Sequence, residues 1–197
     1  MKKKDKNRIP EIPTIEQLES ELHRERFQRK YKGTLRSTVL ALVSVAALAV
    51  LIATLWMPVF KIHGSSMTPT LEDGNIVVAV KTSQFENGDI IAFYYNNKIL
   101  VKRVIAQPGQ QVEIKRNGTV YVDNIELVEP YVEMKAFGDC NIKMPYQVPE
   151  SRVFVMGDHR DSSVDSRNSS IGCISEEQIV GKLAFCVWPI DSFGPIR

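Results

Sequence analysis

A serine and a lysine 36 residues apart carry the chemistry of this chain. Ser66 stands in Gly64-Ser65-Ser66-Met67-Thr68-Pro69-Thr70-Leu71, and Lys102 in Lys98-Ile99-Leu100-Val101-Lys102-Arg103-Val104-Ile105. A serine hydroxyl is a poor nucleophile until a base takes its proton. No His-Asp pair is placed for that task, whereas a lysine held neutral by its surroundings can perform it. Gly64 and Pro69 imply a tight, irregular backbone after the apolar stretch 58–62, able to lift a hydroxyl and aim an amide at a reacting carbonyl. Taken alone, the same motif reads equally as an ordinary Ser-rich turn. Strand alternation puts Leu100, Lys102 and Val104 on one face, with Ile99, Val101, Arg103 and Ile105 on the other. A lysine between Leu100 and Val104 loses hydration, which disfavours its charged form. The plainer alternative is a barrel-surface lysine whose stem lies along apolar groups.

A third segment, Met156-Gly157-Asp158-His159-Arg160-Asp161-Ser162-Ser163-Val164-Asp165-Ser166-Arg167, is dense in small polar and charged side chains. It leaves an apolar strand, a common position for site loops. Its spaced acids invite a calcium-loop reading, but the terminal Glu and regular spacing of an EF-hand are missing. Pairing of Asp with Arg to shape the site is the simpler account. A Ser-His-Asp triad through His159 is disfavoured, since a lone histidine is usually structural.

The elements that must position these groups are strands. Stretches 75–80, 89–95, 99–105, 112–115 and 119–122 are β-branched or apolar and adjoin Asp-Gly, Asn-Gly or Asn-Asn, and the apolar stretches 152–156 and 179–187 close the chain. Arg116-Asn117-Gly118 is a hairpin signal. Many short strands with such turns predict an antiparallel β-barrel or sandwich. Residues 135–149 show no apolar periodicity and read as a surface loop. Ahead of the strands, residues 1–13 are polar and predicted disordered. Thr14 with Gln17 starts a charged helix through about Lys32, which Gly33 can end.

Charge is uneven along the chain. Residues 1–36 hold eleven Lys or Arg against six acids, net +5, and the remainder is net −3. The basic end precedes 24 uncharged residues, 37–60, long enough to span a bilayer. Positive charge there sets orientation and is not a nucleic-acid signature. The run is longer than a signal-peptide core and ends in Trp56-Met57-Pro58-Val59-Phe60, so an uncleaved anchor is preferred. The expected division is a cytoplasmic segment 1–36, a membrane anchor 37–60 and an extracytoplasmic β-domain 61–197, with 107–150 an inserted hairpin and loop subregion. Cys140, Cys173 and Cys186 are odd in number, so at least one is unpaired. A Cys173–Cys186 disulfide stays open beside the favoured reading of small buried hydrophobes.

Four blocks in order, Gly64–Leu71, Asp89–Phe93, Val101–Gln110 and Met156–Arg167, with Ile179-Val180-Gly181-Lys182 and Trp188-Pro189 at the end, resemble the bacterial type I signal peptidases in their small Gram-positive-like form. The resemblance covers about residues 38–190. It implies a membrane-anchored serine endopeptidase that removes N-terminal signal peptides after small residues, with the β-fold shared by self-cleaving repressors. It makes Ser66 the nucleophile, Lys102 the general base, Ser163 the group that orients the lysine amine, and Asp165 with Arg167 a supporting salt bridge. It makes Phe60, Ile62, Met67, Leu71, Leu100 and Val101 the lining of pockets for Ala-like residues. The Ser66 amide would supply one oxyanion donor. Gram-negative members have a serine two residues before the nucleophile as a second donor; here that position is Gly64. The family often has Asn where this chain has His159. No metal or organic cofactor is required, and no nucleic acid is expected. The implied partners are secretory preproteins, the lipid bilayer and, as a candidate, the secretion translocon. Two alternatives remain open from sequence: a narrow-specificity Ser/Lys peptidase for pilin or conjugation proteins, and a catalytically silent anchored binding domain.

Overall fold

The structure, a computed structural model, describes residues 14–196. The expected disorder of 1–13 lies outside the described residues. One long helix comes first, α1 (Ile15–Trp56). The strands follow as β1 (Val59–Lys61), β2 (Ile76–Val80), β3 (Ile90–Tyr95), β4 (Lys98–Ala106), β5 (Gln111–Ile114), β6 (Val120–Val122) and β7 (Ile125–Glu126). The series ends with β8 (Tyr146–Gln147), β9 (Arg152–Met156), β10 (Ile174–Ser175), β11 (Ile179–Trp188) and β12 (Gly194–Pro195).

Helix α1 starts where the capping residues predict: Gln17 Oε1 accepts the Thr14 N–H at 3.1 Å. The expected stop at Gly33 does not occur. A glycine ends a helix by adopting a left-handed φ, and Gly33 does not. Thr34 Oγ1 instead donates to the Lys30 carbonyl at 2.9 Å, and the ladder runs on. Glycine inside a helix costs only about 1 kcal/mol against alanine. The 42 residues therefore form one rod, about 63 Å long at 1.5 Å per residue. Its second half exposes Leu40, Leu48, Leu51 and Leu55, and the helix is long and apolar enough to cross a membrane.

From Ile52 onward the chain forms a second compact unit, mainly antiparallel β as its turn chemistry predicts. One sheet runs β1-β2-β11-β3-β4-β9-β10, with β12 on β11; a smaller sheet runs β7-β6-β5-β8. The Asp-Gly and Asn-Gly turns work because Gly74, Gly88 and Gly118 take φ of +90°, +97° and +85°, conformations that side-chain-bearing residues resist. Strand β4 joins the two parts of the large sheet. Its residues 98–103 pair with β3, and 103–106 pair with β9. The smaller sheet shares a core with this region, where Ile105, Phe154 and Met156 pack with Val112, Ile114, Val120 and Val122.

The stretch 135–149 is not the plain surface loop expected. It contains β8, buries Val148, and packs Phe137, Ile142, Met144 and Tyr146 against that shared core. Its apolar residues anchor one at a time through irregular backbone, so no period of 2 or 3.6 marks them. All three cysteines are free, with Cys173 and Cys186 buried and Cys140 partly so, which answers the open Cys173–Cys186 pairing in the negative.

Candidate active site

Ser66 sits on the turn after β1. The turn closes through Thr68 N–H to the Ser65 carbonyl at 3.1 Å and Leu71 N–H to the Met67 carbonyl at 2.9 Å. At its entry, Gly64 has φ +87° and donates its N–H to Asp73 Oδ1 at 2.7 Å. Lacking a side chain, Gly64 offers no hydroxyl toward the site. The Ser66 N–H donates to no group among the described residues.

Lys102 comes from the part of β4 that pairs only with β3, and its Nζ lies 2.6 Å from Ser66 Oγ. The side chain is 4% exposed. Burial lowers its pKa from 10.5 to about 8, against an upward pull from Asp165, with Arg167 lowering it further and Asp158 raising it slightly. At that value roughly a tenth of the amine is neutral at pH 7 and half of it at about pH 8, and the neutral form can accept the Ser66 proton across the 2.6 Å contact.

The loop after β9 packs against this pair. Gly157 has to be glycine: a Cβ there would collide with Ser163 Oγ and with the Ser66 carbonyl oxygen. Gly157 N–H donates to Asp165 Oδ2 at 3.0 Å. Asp165 takes both prongs of Arg167, Nε at 2.8 Å and Nη2 at 2.8 Å, the bidentate geometry in which Arg and carboxylate bind best. Burial alone would raise the Asp165 carboxyl. The hydrogen bonds and charge of Arg167, helped by Gly157 N–H, hold it below the usual carboxylate range. Ser163 is also buried; its Oγ reaches no partner in good hydrogen-bond geometry among the described residues, Lys102 included, but it lies close enough to Asp165 to help hold that carboxyl down.

Two further buried ion pairs support the loop. Arg103, on the opposite face of β4 from Lys102, donates Nε and Nη2 to Asp158 at 2.9 and 2.6 Å and stacks on Tyr131, 3.8 Å from the ring centroid. Thr70 Oγ1 also donates to Asp158, at 2.5 Å. Arg160 pairs with Glu129 and donates Nε to the Gly157 carbonyl at 3.1 Å. Thr70, Glu129 and Tyr131 escape sequence reasoning. Their partners are 28 or more residues away, and nothing in 124–134 has a local pattern.

Beside Ser66 and Lys102 lies a groove of about 540 Å³ between β1 and the first half of β4. Phe60, Ile62, Met67, Leu100 and Val101 line it, together with His63 and Asn97. Leu71, expected with them, is 1% exposed and packs in the core with Val77, Ala79 and Leu183. Strand β1 pairs only with β2, and β4 before Arg103 pairs only with β3, so both walls offer open backbone edges.

The family model "Signal peptidase, peptidase S26" matches residues 35–188. A signal peptidase IB of Staphylococcus aureus (strain COL) is 38% identical over 155 residues, covering 68% of this chain and 79% of that protein. A signal peptidase I of Bacillus licheniformis is 34% identical over 176 residues, covering 81% and 92%. Among solved structures, a signal peptidase I from Enterococcus faecalis V583 aligns at TM-score 0.43 and 29% identity, over 51% of this chain and 97% of that one.

Proposed function

Because the chain belongs to the peptidase S26 family of signal peptidases, enzymes that remove signal peptides from preproteins, we propose that Ser66 is its nucleophile and Lys102 its general base. The observation that carries this is the 2.6 Å contact between Ser66 Oγ and an amine that burial lowers to about 8. An extended signal-peptide segment adds as a strand between the open edges of β1 and β4, the β-augmentation mode of peptide recognition. Small side chains at alternate positions enter the shallow pockets lined by Phe60, Ile62, Met67, Leu100 and Val101. The apolar lining suits small uncharged side chains, in keeping with cleavage after Ala-x-Ala-like sequences.

The neutral Lys102 amine takes the Ser66 proton as Oγ attacks the scissile carbonyl. The oxyanion forms at the Ser66 N–H. Collapse breaks the C–N bond, and Lys102 returns the proton to the leaving amine of the mature protein. Water, deprotonated by the same lysine, then attacks the acyl carbonyl; as the C–Oγ bond breaks, the lysine ammonium returns that proton to Ser66 Oγ and the signal peptide leaves with a new carboxyl end. Ser163, in the loop that the Asp165–Arg167 pair holds, is the residue that would turn its hydroxyl to the lysine amine during turnover; in the resting geometry it makes no hydrogen bond to Lys102.

The span expected at 37–60, of which 37–56 lie in α1 while Val59 and Phe60 already belong to β1, anchors the enzyme in the bilayer through its helical part. The basic 1–36 stays cytoplasmic and 61–197 acts outside, next to emerging preproteins and the translocon. The test is cleavage-site mapping with purified full-length protein on Ala-x-Ala precursors, beside Ser66→Ala. Turnover by Ser66→Ala would end the proposal. Protease applied to intact protoplasts should remove 61–197 and spare an N-terminal tag; the reverse would overturn the orientation.

A further inference from the structure

His159 takes part in none of the steps above, yet it holds both peptide units that flank Ser66. Its backbone N–H donates to the Ser66 carbonyl at 3.2 Å. Its ring Nδ1 lies 3.3 Å from the Ser65 carbonyl oxygen and 3.2 Å from Thr68 Oγ1. The tautomer follows from the partners. Thr68 Oγ1 has one proton and donates it to the Ser65 carbonyl at 2.8 Å, so it presents lone pairs to the imidazole. Both atoms facing Nδ1 are acceptors, and Nδ1 therefore carries the proton.

The Ser65 carbonyl thus collects three donors: Thr68 N–H, Thr68 Oγ1–H and His159 Nδ1–H. That oxygen and the Ser66 N–H are opposite ends of one planar amide. Fixing the oxygen fixes the direction of the N–H, and drawing electrons toward the oxygen makes the N–H a stronger donor. We propose that His159 is a positioning residue that aims and polarises the Ser66 amide against the oxyanion. This rests on the reading of Ser66 N–H as the oxyanion donor.

Full-length enzyme in detergent is assayed for kcat and KM on a signal-peptide substrate, and for inhibition by the matching peptide aldehyde. The aldehyde's adduct with Ser66 places an oxyanion where the transition state has one. Losing a direct oxyanion donor costs about 10²–10³-fold in kcat; a group acting through the peptide bond should cost less, about tenfold. His159→Ala should lower kcat by that factor, leave KM within about twofold, and weaken the aldehyde in step with kcat. His159→Asn places an amide N–H near the position of Nδ1 and should recover most of the loss. His159→Gln, one methylene longer, should not. The Asn and Gln pair serves if the alanine variant proves unstable by circular dichroism. Unchanged kcat and aldehyde affinity in His159→Ala, a loss confined to KM, or Asn no better than Gln would each overturn the proposal. Ser66→Ala retaining turnover would break the underlying dyad reading; Ser66→Ala inactive beside a fully active His159→Ala would break this inference alone.

Discussion

Replacing Lys102 with methionine should stabilise the β unit at neutral pH, and that advantage should shrink as the pH rises. At about pH 7 the amine is mostly protonated in the folded and unfolded chain alike. Folding then places a charge where burial lowers its pKa from 10.5 to about 8. At about 1.4 kcal/mol per tenfold, the penalty is about 3 kcal/mol. Methionine nearly matches the lysine stem in volume and brings no charge. Loss of the contact with Ser66 returns about 1 kcal/mol, leaving Lys102→Met about 2 kcal/mol more stable. The sign of the pH dependence follows from proton counting. Between about 8 and 10.5 the unfolded chain binds more protons than the folded one, so wild-type stability rises with pH. The contribution is complete above the unfolded value and is lost as pH falls through about 8. Raising the pH from about 7 to about 9.5 recovers about 2 kcal/mol for the wild type and none for the variant, so the two converge. Urea unfolding of the detergent-solubilised full chain, followed by far-UV circular dichroism at both pH values, measures the difference. Parallel stabilities, within about 0.5 kcal/mol at both pH values, would show that burial does not depress Lys102. The argument for it as a base at neutral pH would then fail.

Three other outcomes follow from the same geometry. The pH profile of kcat/KM should climb through about 8 and level off as the Lys102 amine loses its proton, while Lys102→Arg, always protonated, should be folded and inactive. Glu129→Ala strands the fully buried Arg160 guanidinium and should cost about 3–5 kcal/mol, read as a lowered urea midpoint. Gly157→Ala pushes the Ser66 carbonyl and Ser163 apart and should cut kcat by about a hundredfold or more, measured on the same signal-peptide substrate, without loss of the circular dichroism spectrum.

The strands were legible because their turns are written in single residues. Asp73-Gly74, Asn87-Gly88 and Asn117-Gly118 demand positive φ, and strands begin within a few residues after each. Alternation along β4 also placed Lys102 and Arg103 on opposite faces, as the structure has them. It could not show that both faces are covered, which buries Arg103 as deeply as Lys102. Gly33 misled because propensity is local, while the helix there continues through its neighbours. Glu129 and Tyr131 stayed hidden for the opposite reason. They lie between β7 and β8, in backbone without periodicity, and acquire meaning only when the chain returns Arg160 and Arg103 to them. Leu71 fitted a pocket by resemblance and type, but its one-sided turn directs it inward, to the core under the groove.

The three buried arginines constrain how a lineage of such enzymes can drift. Arg103, Arg160 and Arg167 are each matched to one carboxylate, and two of those partners lie 31 or more residues distant. A single codon change in either member passes through a chain with an orphaned interior charge. At about 3–5 kcal/mol, that intermediate forfeits much of a typical domain's 5–15 kcal/mol margin. The underpinning of the site is therefore locked by pairs, and the groove lining is not. Phe60, Leu100 and Val101 are only partly buried or paired on one side, and each can change alone. Diversification, including escape from a compound seated in the groove, is channelled into the residues that choose the substrate and away from those that hold Ser66 and Lys102 in register.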